Sequence, residues 1–180
     1  MKKIKFIIIG IMLILASLLS ACRRTKSYTI MGDYMVYDTA ESLVEASDFV
    51  FSGTVVNISY EMLDVRTEQG VDSMTGLAET EPLPYTLYEI EITEKYKGTY
   101  DTNHIILKRP GGVFDNATYK IADATEILLN ESYLFVAAEF PNSYPSLLNA
   151  TQSSYNLNKP DVASNENTIT VSQILEIFKK

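Results

Sequence analysis

A single cysteine, Cys22, closes an apolar run near the start of a 180-residue chain, and its position limits how the remainder can be held together. Lys2, Lys3 and Lys5 precede the run, which extends from Phe6 to Leu19, and Ser20 and Ala21 separate it from the cysteine. A positive head, an apolar middle and small residues at the end describe a segment that directs export and is then removed. Spanning a bilayer takes roughly 20 successive apolar residues, and this run is too short. Export brings a chain into surroundings where disulfides form, yet one cysteine has no partner within the chain. The 159 residues from Cys22 onward must therefore fold by burial alone, and that length suffices for a single hydrophobic core.

The four residues Leu19-Ser20-Ala21-Cys22 resemble the lipobox of bacterial lipoproteins. The resemblance implies cleavage before Cys22, a diacylglycerol in thioether linkage to its sulfur, and a lipid-anchored place at the cell membrane facing away from the cytoplasm. Two acyl chains on one residue anchor stably where one chain binds only marginally. The expected organisation is a signal peptide over 1–21, a lipid-anchored tether over 22–36 and one domain over 37–180.

Charge narrows the partners. Removing the signal takes away three lysines and no acid, leaving 12 basic against 23 acidic side chains, a net of −11. Three of those bases, Arg23, Arg24 and Lys26, stand beside the anchor, so residues 27–180 carry −14. Basic residues next to a lipid anchor gain about 1 kcal/mol each at an anionic surface, while an acidic body is repelled over about a Debye length. The tether is expected to hug the membrane and the domain to stand off it. Nucleic acid is not an expected partner, because binding a phosphate backbone needs clustered Lys and Arg. The short runs Lys95–Lys97 and Lys108-Arg109 read as solvated strand ends.

Hydrophobic spacing gives the elements. Asp38 with Glu41 has the form of a capping box, and Ala40, Leu43, Val44 and Ser47 share one face, predicting a helix over about 39–47. Phe49 to Met62 is β-rich, with Gly53 where a bulge is expected. Residues 63–84 hold Gly70, Gly76, Pro82, Pro84 and several acids; a connection of that length is either a functional excursion or a mobile loop, and the second is favoured. Tyr85 to Lys97 alternates as a strand with one buried and one wet face. His104 to Arg109 is a third strand that stops at Pro110-Gly111-Gly112. Residues 113–130 are ambiguous between loop and short helix. A strongly apolar strand, Tyr133–Phe140, precedes weaker ones near 144–150 and 153–157. Thr170 with Gln173 makes a further capping box, and Val171, Ile174, Leu175 and Phe178 form the stripe of a final helix.

A short helix, several strands and a closing helix predict a mainly β fold, a small antiparallel OB-like barrel. The run Ala46-Ser47-Asp48-Phe49-Val50-Phe51-Ser52-Gly53-Thr54-Val55-Val56, with Tyr88-Glu89-Ile90-Glu91-Ile92 ending in Lys97-Gly98, resembles a group of exported bacterial domains. Ile105-Ile106-Leu107 before Gly111-Gly112, and Glu131-Ser132-Tyr133-Leu134-Phe135, carry the same resemblance. That pattern is similar to netrin-like modules related to tissue inhibitors of metalloproteinases, which implies an OB-type barrel. Those inhibitors use disulfides and a free amino-terminal cysteine that chelates zinc. The sole cysteine here is assigned to lipid, so no residue inherits that role.

Candidate chemistry is sparse. His104 is the one histidine, at a strand start, and reads as half-exposed rather than catalytic. Zinc sites usually take several His or Cys ligands, and the acids of 61–81 lack the regular spacing of a calcium loop. No metal or cofactor is expected. The 12 tyrosines, with no tryptophan, offer flat apolar faces with polar tips suited to sugars or peptides. Tyr88, Tyr96 and Tyr133 lie in strands and are expected to pack in the core. Tyr85, Tyr100 and Tyr144 lie near turns and are the candidate binding surface. The resulting expectation is a non-enzymatic, membrane-anchored binding module for an extracytoplasmic protein, peptide or envelope polymer. The alternative is an envelope-acting hydrolase using paired carboxylates.

Overall fold

The computed structural model describes residues 26–32, 34–66, 70, 74, 82–140, 142–159 and 168–179. Cys22 and residues 1–21 lie outside the described residues, as do most of 63–84. Among the described residues are two short helices, α1 (Ala40–Glu45) and α2 (Val171–Glu176), and nine strands, the first of which precedes α1. These are β1 (Lys26–Ile30), β2 (Phe49–Leu63), β3 (Leu83–Lys97), β4 (His104–Pro110), β5 (Gly112–Phe114), β6 (Ala117–Ile121), β7 (Ser132–Ala138), β8 (Ser146–Leu147) and β9 (Ser154–Asn156).

Five strands close into a barrel in the order β2-β3-β4-β8-β7, with β7 returning to β2. The pairings are antiparallel except for β4 with β8, which run parallel at Lys108↔Ser146. The fold is therefore mainly β, a small OB-like barrel with one short helix before it and one after it. Closure removes the exposed edges an open sheet would present. β2 bends at register shifts, one of them between Ser52 and Gly53, at the glycine read as a bulge. A Cβ at Gly53 would lie 2.7 Å from the Glu91 carbonyl oxygen, so β2 and β3 approach there only because the side chain is missing.

Two apolar clusters stabilise this arrangement. Inside the barrel, Phe51, Val55, Tyr88, Ile90, Leu107 and Phe135 interlock. Outside it, Val50, Leu134 and Val136 meet Leu43 of α1 and Val171 and Ile174 of α2. β2 and β7 thus bury consecutive residues on opposite faces, which is why Tyr133–Ala138 reads as an unbroken apolar run. β3 alternates only beyond Tyr88; Pro84 to Tyr88 is buried on both faces, unlike the single wet face predicted.

Three local readings are corrected. The α1 capping box is formed by Thr39 and Ser42, one residue beyond the predicted pair, because it is the Thr39 hydroxyl that accepts from the Ser42 backbone N–H. Within the segment read as tether, Lys26–Ile30 forms β1, parallel to β6 from Lys26↔Ala117 to Ile30↔Ile121. No apolar alternation marks it, since four of its five residues are exposed; backbone pairing and the Tyr28–Tyr119 ring stack at 5.2 Å hold it. The start of the segment 113–130, ambiguous between loop and short helix, instead forms with Gly112 the β5–β6 hairpin, whose turn residues Asp115 and Asn116 both take positive φ as a type I′ turn requires. The Thr170–Gln173 box of α2 is as expected.

Candidate functional site

The cross-strand register sets one end of the barrel interior. Ile58, Tyr88 and Leu107 lie opposite one another across β2, β3 and β4, and two residues further along the strands the next row is Tyr60, Thr86 and Arg109. Residues in register share a face, as do alternate residues along a strand, so the second row continues the core-facing side outward. There it meets a roof made by the β5–β6 hairpin and residues 124–127. Between them is a cleft of about 480 Å³.

The roof is where it is for local reasons. After Pro110, Gly111 and Gly112 take φ of +97° and +142°, turning the chain back over β3. The Gly111 N–H donates to the Pro84 carbonyl at 2.7 Å, and the Thr86 hydroxyl donates to the Gly111 carbonyl at 2.9 Å. A Cβ at Gly112 would stand 2.7 Å from the Tyr60 ring, so a glycine lets the hairpin settle against that tyrosine. Residues 122–131 are pinned from the barrel side: the Leu128 N–H donates to the Tyr133 hydroxyl at 2.9 Å, and the Thr125 N–H to the Ala150 carbonyl at 2.9 Å.

Arg109 is the central polar group of the cleft. Its guanidinium lies over the Tyr88 ring, 5.3 Å from the centroid, and one nitrogen donates to the Thr125 carbonyl at 2.6 Å. That is its one hydrogen bond among the described residues, so a half-buried cationic fork lines the cleft with donors unspent. Tyr88 is 2% exposed, and burial pushes its phenol above the ordinary range, partly offset by the Arg109 charge; it is a neutral hydroxyl at any physiological pH. Half-exposed Tyr60 and Tyr119 add aromatic surface. Lys120 and Glu126 are exposed at the rim, Glu126 being the one carboxylate among the lining residues. Two cations against one acid invert the sign of the −14 body locally.

The tyrosines singled out by turn position do not assemble. Tyr85 is 6% exposed, with Tyr34 close by, and its expected exposure is corrected. Tyr100 is half-buried against Phe49 and Phe51, and its hydroxyl donates to the Lys97 carbonyl at 2.8 Å. Burial drives that phenol well above its usual range. Tyr144 is half-buried on the β7–β8 connection. None of the three lines the cleft. Tyr88 and Tyr133 pack in the core as expected, whereas Tyr96, expected there too, is only half-buried, against Phe178.

Lys95 is exposed as expected, but the rest of the two basic runs is corrected. Lys97 donates to the carbonyls of Val44, at 2.7 Å, and of Ser47, closing the end of α1. Lys108 is 1% exposed and Arg109 lines the cleft, so neither is a solvated strand end. The signal for Arg109 lay in its position one residue before Pro110-Gly111-Gly112, where a chain reversal covers whatever precedes it. His104 is exposed, its Nδ1 3.9 Å from Glu89 Oε1. Among the described residues, no three His, Cys, Asp or Glu side chains converge as metal ligands, and no helix is long and apolar enough to cross a membrane.

The fold and cleft define a class, an OB-like barrel with a roofed, tyrosine- and arginine-lined mouth. Compared with known protein families and with curated proteins, the chain matches no family model and no curated sequence.

Proposed function

We propose that this chain is a non-catalytic binding module, anchored by lipid on Cys22 at the outer side of the cell membrane. The barrel-mouth cleft receives an extracytoplasmic ligand. The ligand class is an anionic group, carboxylate or phosphate, beside a flat ring or sugar face, as an acidic envelope polymer or an aromatic peptide end presents. One observation carries the reading: a half-buried Arg109 with unspent donors, set against tyrosine faces inside a strongly acidic body. Guanidinium groups bind carboxylate and phosphate in bidentate fashion, and tyrosine rings supply apolar contact with a polar tip. The acids lend the hydrolase reading no support: among the described residues Glu126 lines the cleft without a second carboxylate, and side-chain amides of Asn158 and Asn156 hold Glu131 below the usual carboxylate range, opposite to a general acid.

Titrating the full-length protein in detergent with acidic and neutral oligosaccharides of equal length, and with peptides ending in an aromatic residue, tests this. Tighter binding of the acidic members is expected, with Arg109→Gln weakening it by roughly 1.5–3 kcal/mol, about 10- to 150-fold. Equal affinity for charged and neutral ligands, or an unaffected Arg109→Gln protein, would sink the reading. For the anchor, Cys22→Ser is expected to abolish incorporation of labelled fatty acid.

A further inference from the structure

Four large apolar side chains are exposed within nine residues of β1 and the segment after it: Tyr28 at 46%, Met31 at 83%, Met35 at 72% and Val36 at 73%. Single exposed apolar residues are ordinary on a protein surface, whereas a local concentration marks a contact. These side chains do not hang on a loose leash. β1 is paired along its length with β6, the Asn149 side chain donates to the Met35 carbonyl at 2.7 Å, and Gln152 both accepts from the Tyr37 N–H at 2.9 Å and donates to its carbonyl at 2.8 Å. The body therefore holds the segment in place while its side chains face outward.

The sequence indicates what covers them. Cys22 precedes Lys26 by four residues, a reach of at most about 14 Å even when fully extended. Arg23, Arg24 and Lys26 fall within that interval, and from Arg23 to Val36 the one acid is Asp33, whereas residues 27–180 carry −14. A positive, apolar-studded segment tied within that distance of two acyl chains suits the interfacial zone of an anionic bilayer, where methionine and tyrosine settle among headgroups. Resting on the reading that Cys22 is lipidated, we infer that Tyr28, Met31, Met35 and Val36 form a membrane-contacting face that seats the domain on the anionic outer surface of its own bilayer. β6, which pairs with β1, also lines the cleft, so the ligand site is held close to the membrane instead of standing off it.

Lipid consumes the native thiol, so an introduced cysteine can carry a fluorophore alone. Full-length lipidated Met31→Cys and Met35→Cys, labelled with an environment-sensitive dye and reconstituted into phosphatidylglycerol–phosphatidylcholine vesicles, are expected to emit to the blue and to be quenched by a lipid-embedded quencher several-fold more than Asp101→Cys. Asp101 lies in the β3–β4 turn, at the opposite end of those strands from the cleft. Water-like emission and equal aqueous quenching at all three positions, with fatty acid present on Cys22, overturn the membrane face and leave the anchor standing. A blue shift that grows with the protein-to-lipid ratio assigns the face to a second copy and likewise overturns it. Fatty acid absent from Cys22 removes both readings.

Discussion

Lys108 shows how far one side chain can depart from its type. It is 1% exposed, its Nζ stands 3.6 Å from the centroid of the Phe140 ring, and among the described residues that nitrogen finds no hydrogen-bond partner. Burial lowers its pKa from 10.5 to about 8. A lysine so depressed binds its proton less tightly in the folded chain than in the unfolded one, so stability rises with pH between about 8 and 10.5 as the folded state sheds a proton the unfolded state keeps. Lys108→Met is expected to stabilise the protein at pH 7 by about 1–2 kcal/mol, since removing an unpaired buried charge outweighs the loss of its contact with the ring. Urea unfolding at pH 7 and pH 11 checks this, and the gain should disappear at the higher value. Nothing in Lys108-Arg109 as a dipeptide distinguishes a buried lysine from a solvated one. Its fate is set by Phe140, which is 32 positions away along the chain.

Among the elements, α2 illustrates that an apolar stripe is not buried evenly. Ile174 is fully buried in the outer cluster, whereas Phe178 is only partly buried and stacks on Tyr96 with centroids 5.6 Å apart. Ile174→Ala is expected to cost about 2–5 kcal/mol, in the range for buried aliphatic truncations. Phe178→Ala should cost less, about 1–2 kcal/mol, because the ring leaves water only in part. Thermal unfolding of the two variants orders them, and an equal loss would place Phe178 in the core. Element existence was readable wherever side chains are buried: β2, β3, β4 and β7 show as apolar or partly alternating runs and α2 as a helical stripe. β1 could not be read this way, because an exposed strand held by backbone pairing leaves no hydrophobic pattern. The β5–β6 hairpin did leave a signal, the Asp115-Asn116 turn pair, which periodicity does not register.

On the scale of the whole molecule, a closed barrel carries a net charge of −14 over residues 27–180. Self-repulsion opposes compaction and is screened over about 10 Å at 0.1 M salt. Raising sodium chloride from 10 mM to 150 mM is therefore expected to raise the melting temperature by a few degrees, about 1 kcal/mol for a domain of this size; a melting temperature that falls would show that attractive ion pairs dominate. By itself the amino-acid order determined the absence of any disulfide within the chain, the acidic composition, the main strands and the α2 cap. Each depends on neighbours a few residues apart or on simple sums over the chain. Tertiary structure alone decided the closure of β7 onto β2, the pairing of β1 with β6 and the burial of Lys108 and Tyr85. Those outcomes join residues tens of positions apart, and only the shape of the closed barrel determines which distant groups meet and which of them water still reaches.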